Sequence, residues 1–180
     1  MKTLSKYFLL FIAVISLTVS ACHKDDDHDH DEEELITTVR LKFTPPSGPV
    51  LNFSWQDLDG EGGNAPIIPT VNLAANTTYS VELELLNESV TPTEDITEEI
   101  QEEANEHLFV YNVNTTGLTV VITDKDGNNR DLGLKSTWTT TSPATGNINI
   151  LLKHNPNKTA SNPAATGSTD IDITLPVVIE

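Results

Sequence analysis

The sequence predicts an all-β fold, an antiparallel β-sandwich or small barrel of about eight strands with one acidic helix. Three observations lead there. Apolar and polar residues alternate with period two through most of residues 35–180, turn-forming residues fall at the breaks, and a single segment has helical spacing. Strands with one apolar and one polar face belong to antiparallel sheets, because parallel sheets are covered on both sides. Two such faces closed on each other make a sandwich or a barrel. Residues 35–180 are long enough for a single domain with a real core.

The first strand is expected at 37–43, "TTVRLKF", where Val39, Leu41 and Phe43 share a face opposite Arg40 and Lys42. In 51–56, "LNFSWQ", Leu51, Phe53 and Trp55 alternate with Asn52, Ser54 and Gln56. In 79–85, "YSVELEL", Tyr79, Val81, Leu83 and Leu85 oppose Ser80, Glu82 and Glu84. Further strands are expected at 108–113, 118–123, 132–140, 148–154 and 170–179. Pro176 cannot donate to a ladder, so the last strand is expected to be an edge or to bulge there.

The helix is expected from Thr91 to His107, a helical insertion in the β domain. Thr91 would be the N-cap, Pro92 the first helical residue, and Glu94 the partner completing a capping box. Ile96, Ile100 and Ala104 form its narrow apolar stripe. Asp95, Glu98, Glu99, Glu102, Glu103 and Glu106 cover the remainder with no basic residue between them, and the late acids oppose the helix dipole. A solvated helix and a cation- or partner-docking face both fit that pattern.

Residues 1–21 have the layout of an export signal: Lys2 and Lys6 form a basic head, and Tyr7 to Val19, "YFLLFIAVISLTV", is an apolar stretch too short to span a bilayer. The ending "VSAC" resembles the lipobox of bacterial lipoproteins, which implies lipidation at Cys22 and a lipid anchor in the membrane. Cys22 is the only cysteine, so disulfides, thiolate clusters and cysteine nucleophiles are excluded from the folded part. Residues 22–34 then read as an acidic, His-rich tether, since a block of like charges stays extended. Within it, Lys24, Asp25 and Asp26 behind the cysteine resemble the lipoprotein export signal of Bacteroidota. That implies an outer-membrane lipoprotein at the cell surface, with the periplasmic face as alternative.

Cleavage before Cys22 removes Lys2 and Lys6 and takes the formal charge from −17 to −19. Such a surface repels nucleic acid, so no nucleic-acid partner is expected, and cations or basic surfaces are the natural counterparts. No GxSxG elbow, HExxH helix, phosphate-binding loop or dinucleotide fingerprint is present, and no enzyme is expected.

Metal candidates fall in two places. His23, His28 and His30 interleave with carboxylates in the tether, donors suited to zinc or copper, though a flexible tract loses entropy on closing around an ion. In the domain, His107 ends the expected helix one turn after Glu103. His154 has the parity of Ile148, Ile150 and Leu152, aimed at the mouth of the core. If they converge, Glu103, His107 and His154 make a two-histidine, one-carboxylate set; a capping histidine and an unrelated strand-end histidine are the other reading. Calcium is a weaker candidate at 57–64, "DLDGEGGN", and 124–129, "DKDGNN". Glycine at the fourth position and the missing final glutamate point instead to tight turns. Trp55, Trp138, Tyr111 and Phe109 would either floor a sugar or tetrapyrrole site or belong to the core.

The chain as a whole looks like a small β-rich lipoprotein of the Bacteroidota outer membrane. Similar chains carry the name type 1 periplasmic binding fold, a two-lobed parallel α/β architecture that needs far more helix than these alternating segments provide. The resemblance implies a surface lipoprotein that hands a ligand to a TonB-dependent transporter. The expected function is therefore a non-enzymatic, surface-anchored binding or accessory protein, with metal capture as its candidate task. The alternative is a structural or adhesive envelope module with no small-molecule ligand.

Overall fold

A computed structural model describes residues 34–60 and 62–180. It is all-β, with two open sheets and one helix. The strands are β1 (Thr38–Thr44), β2 (Leu51–Gln56), β3 (Val71–Leu73), β4 (Thr78–Asn87), β5 (Glu94–Asp95), β6 (His107–Val113), β7 (Leu118–Ile122), β8 (Lys135–Thr140), β9 (Ala144–His154) and β10 (Ser168–Ile179). The helix α1 spans Ile96–Glu102. One sheet runs β2-β1-β4-β8-β7, with β5 paired to the end of β4; the other runs β3-β10-β9-β6. No helix among the described residues is long and apolar enough to cross a membrane.

Alternation is what brings the two sheets together. Val39, Leu41 and Phe43 of β1 and Val81, Leu83 and Leu85 of β4 bury one apolar face. Ile148, Ile150 and Leu152 of β9 and Ile171, Ile173 and Leu175 of β10 supply the other, and all belong to one core. Phe43 sits at its centre, edge-on to Phe53, Tyr79 and Trp138 with ring centroids 5.6, 5.7 and 5.0 Å away. Trp138 and Phe109 are buried in this core, and Trp55 lies at its margin, so these three serve packing.

Four expectations are corrected. Not every strand pair is antiparallel: β3, too short for alternation to reveal, runs parallel to β10. Pro176 is neither on an edge strand nor at a bulge, for β10 lies between β3 and β9 and its irregularity falls between Thr169 and Ile171. The proline fits because pairing with β3 begins only at Val177, leaving that flank open beside it. The expected strand at 132–140 starts only at Lys135, because Gly133 takes φ +101 to pass β6. A Cβ there would lie 2.6 Å from Phe109 Cβ.

The largest correction concerns the helix. It does not begin at Thr91, because Glu94 and Asp95 pair with Asn87 and Leu86 of β4. Asp95, not Thr91, is the N-cap, its carboxylate accepting the Thr97 N–H at 2.9 Å. Ile96 and Ile100 are buried, and Thr97 Oγ1 accepts the Leu85 N–H at 2.9 Å, fixing the helix to β4. The helix ends at Glu102, with no basic residue in its last turn to meet the carbonyl end of the dipole. His107 is therefore not a helix terminus but the first residue of β6, opposite His154 of β9.

Candidate metal centre

One end of the four-stranded sheet carries a buried polar cluster of Glu34, His107, His154 and Asp170. One ligand atom from each lies within 4.8 Å of the others. Their side chains are almost wholly enclosed: His107 and Asp170 are 0% exposed, His154 5% and Glu34 6%. Each position has a local cause. His107 and His154 are direct partners across the β6–β9 ladder, and their rings stack with centroids 4.8 Å apart. Asp170 is the extra residue of the bulge between Thr169 and Ile171. In a regular strand it would face away from Ile171, but the bulge turns its carboxylate inward beside the imidazoles. Glu34 comes from the coil before β1, a strand of the opposite sheet.

Most of the distances exceed those of ligands around one small cation. His107 Nε2 lies 3.2 Å from Glu34 Oε1 and 3.9 Å from Asp170 Oδ2, and His154 Nδ1 lies 4.0 Å from Asp170 Oδ1. Ligand atoms on tetrahedral zinc, with bonds near 2.0–2.2 Å, stand roughly 3.3–3.5 Å apart, so modest side-chain closure suffices. The rings are nearly parallel, 14° between planes, so one imidazole must turn out of the stack for both nitrogens to meet one ion. Buried polar atoms ordinarily find partners, yet His154 Nε2 and Glu34 Oε2 make no hydrogen bond, and His107 Nε2 has only its 3.2 Å contact with Glu34 Oε1.

His107 Nδ1 sits 3.2 Å from the Glu103 carbonyl, which can only accept. Nδ1 therefore carries a proton and Nε2 faces the carboxylates, the orientation that second-shell carbonyls impose on metal-binding histidines. Burial pushes the His107 imidazole down, but Glu34, the Glu103 carbonyl and the Asp170 charge outweigh it and hold it above its ordinary value. Burial pushes the Glu34 carboxyl up, and the contact with His107 more than reverses it, leaving it below the usual range. Both directions are those of an ion pair between His107 and Glu34.

Of the expected domain set, His107 and His154 come together and Glu103 does not join them as a carboxylate ligand. Its backbone carbonyl holds His107 instead, because the helix stops before the residue that was to place its side chain one turn behind the ring. Glu34 belongs to the folded unit and not to the tether, since its carboxylate packs on His107. Cys22, His23, Lys24, Asp25, Asp26, His28 and His30 lie outside the described residues. No protein-family model, curated protein or solved structure matches the chain.

In each calcium candidate one carboxylate, Asp126 or Asp59, is engaged by its own loop. At 124–129 the chain makes a tight turn, with Asn129 at φ +61 and its N–H donating to the Asp126 carbonyl at 3.0 Å. The Asp126 carboxylate accepts the Asn128 and Arg130 N–H groups at 2.8 and 2.9 Å and the Lys158 ammonium at 2.9 Å. In the 57–64 loop, Asp59 accepts the Asn64 backbone N–H at 3.0 Å and its side-chain amide at 2.5 Å. These carboxylates brace their own loops.

Proposed function

We propose that the domain binds one divalent transition-metal ion, of the zinc class, through Glu34, His107, His154 and Asp170. The observation that carries this reading is His107 Nε2. It is buried, faces Glu34 Oε1 at 3.2 Å and Asp170 Oδ2 at 3.9 Å because the Glu103 carbonyl engages Nδ1, and makes no hydrogen bond of good geometry. Acceptors gathered in a dry site need a cation among them. A dication balances two carboxylates and leaves both imidazoles neutral, which a single proton does not do. Imidazole and carboxylate favour zinc or copper(II), while calcium and magnesium prefer all-oxygen shells. Cys22 and Met1 are the only sulfur-bearing residues, so soft ligands for copper(I) are absent from the domain.

Four protein ligands in a closed pocket leave no open position for a reacting water, which supports holding and delivery over catalysis. Together with the lipobox-like "VSAC" and the lysine–acid pattern behind it, this supports a non-enzymatic lipoprotein. It would be anchored at Cys22 on the outer membrane, capturing metal at the surface for a TonB-dependent transporter. His23, His28 and His30 would serve as weaker first contacts for the ion. The second reading is a structural or adhesive module in which a protonated His107 takes the place of the metal; the raised imidazole value favours it.

Calorimetric titration of the mature chain with zinc and copper(II) separates the two. His23, His28 and His30 are replaced by alanine in every sample, so that only the domain reports. Metal capture predicts one saturable equivalent, lost in His107→Ala and His154→Ala. Heats indistinguishable from those of His107→Ala and His154→Ala would leave the protonated cluster as the correct account.

A further inference from the structure

Resting on the metal-binding reading, we infer that Glu34 is the exchangeable ligand of the site. The coil from residue 34 to 37 then acts as a latch that the ion fastens onto the sheet. The ligands divide into two kinds by origin. His107, His154 and Asp170 stand on β6, β9 and β10, three neighbouring strands whose long antiparallel ladders fix them. Glu34 precedes β1, which lies in the other sheet, so an ion holding all four residues ties one sheet to the other at this end.

Among the described residues, the coil's backbone anchors lie behind the glutamate, at Thr37. The Thr37 N–H donates to the Leu86 carbonyl at 3.0 Å, Thr37 Oγ1 accepts the Glu88 N–H at 2.8 Å, and Ile36 is buried. Leu35, between Ile36 and Glu34, is 55% exposed. Glu34 thus lies on a short coil segment whose first backbone anchor toward β1 is at Thr37. Without an ion, its carboxylate rests against His107 Nε2 at 3.2 Å. A dication takes the place of that single contact, and release of Glu34 uncovers an otherwise closed site. Because the acidic run ends at Glu34, loading also secures the point at which that run joins the domain.

The test uses the mature chain with its tether histidines replaced, and zinc alone as the probe. Chelator-driven zinc release and hydrogen exchange at residues 34–37 are measured in this protein and in Glu34→Gln. A latch predicts that zinc slows exchange at 34–37 only where Glu34 is present. It also predicts that Glu34→Gln still takes up one zinc on the three strands but releases it at least about tenfold faster, since even outer-shell partners are worth that much. Asp170→Asn, on the fixed platform, should instead lower affinity without unlocking the coil selectively. One equivalent of zinc bound, with equal release rates and unaltered exchange at 34–37 in Glu34→Gln, overturns the latch and leaves the metal site standing. No zinc bound by either protein overturns both.

Discussion

Lys158 shows how strongly a single buried charge is committed in this molecule. Its ammonium donates to Asp126 Oδ2 at 2.9 Å and to the Ala104 and Asp131 carbonyls at 2.7 and 3.1 Å, with both charged side chains nearly inaccessible. Replacing it by methionine strands a buried carboxylate and should cost about 3–5 kcal/mol in urea unfolding. Asp126 gives the matching pH dependence. Burial raises its carboxyl, but the Arg130 N–H, Lys158 and the Asn128 N–H more than compensate, leaving it below its ordinary 3.8. A depressed folded value means the contribution is whole above the unfolded value and disappears as pH falls through the folded one. The stability gap between wild type and Asp126→Asn should therefore stay constant from pH 5 to 8 and close only in stronger acid, as denaturation at a series of pH values would show.

Among the elements, the turn joining β9 to β10 positions two of the four candidate ligands. Gly167 there has φ +70, and a Cβ on it would lie 2.2 Å from the His154 carbonyl oxygen. Gly167→Ala should force the strands apart next to His154 and Asp170, lowering both the unfolding midpoint and zinc affinity. Calorimetry of the purified variant reads both. Eight strands were legible in the sequence because one-sided burial writes itself as alternation, and His154 could be aimed inward by parity alone. β3 and β5 were not, since two or three residues carry no period. His107 was misplaced on a helix because its acidic approach looks helical, while pairing with β9 decides its conformation. Asp170 was hidden because parity points it outward and a bulge overrides parity. Glu34 was hidden as the last of a charge run, distinguished only by a histidine more than seventy residues away.

For the molecule as a whole, a strongly acidic chain gathers two more carboxylates into a dry corner, which makes sense if a cation is the intended occupant. Binding to the folded state alone stabilises it by about 2.7 kcal/mol at a hundredfold excess over Kd. For a domain of this size each kcal/mol moves the melting temperature by roughly 2–4 °C. Zinc should therefore raise Tm by roughly 5–11 °C over chelator, and by little in His107→Ala. The most direct measurement is X-ray absorption of the zinc-loaded mature chain with His23, His28 and His30 replaced. The account predicts four nitrogen and oxygen neighbours at about 2.0–2.2 Å, two of them imidazole by their outer-shell scattering. A six-oxygen shell without imidazole, or no zinc retained after desalting, would contradict it.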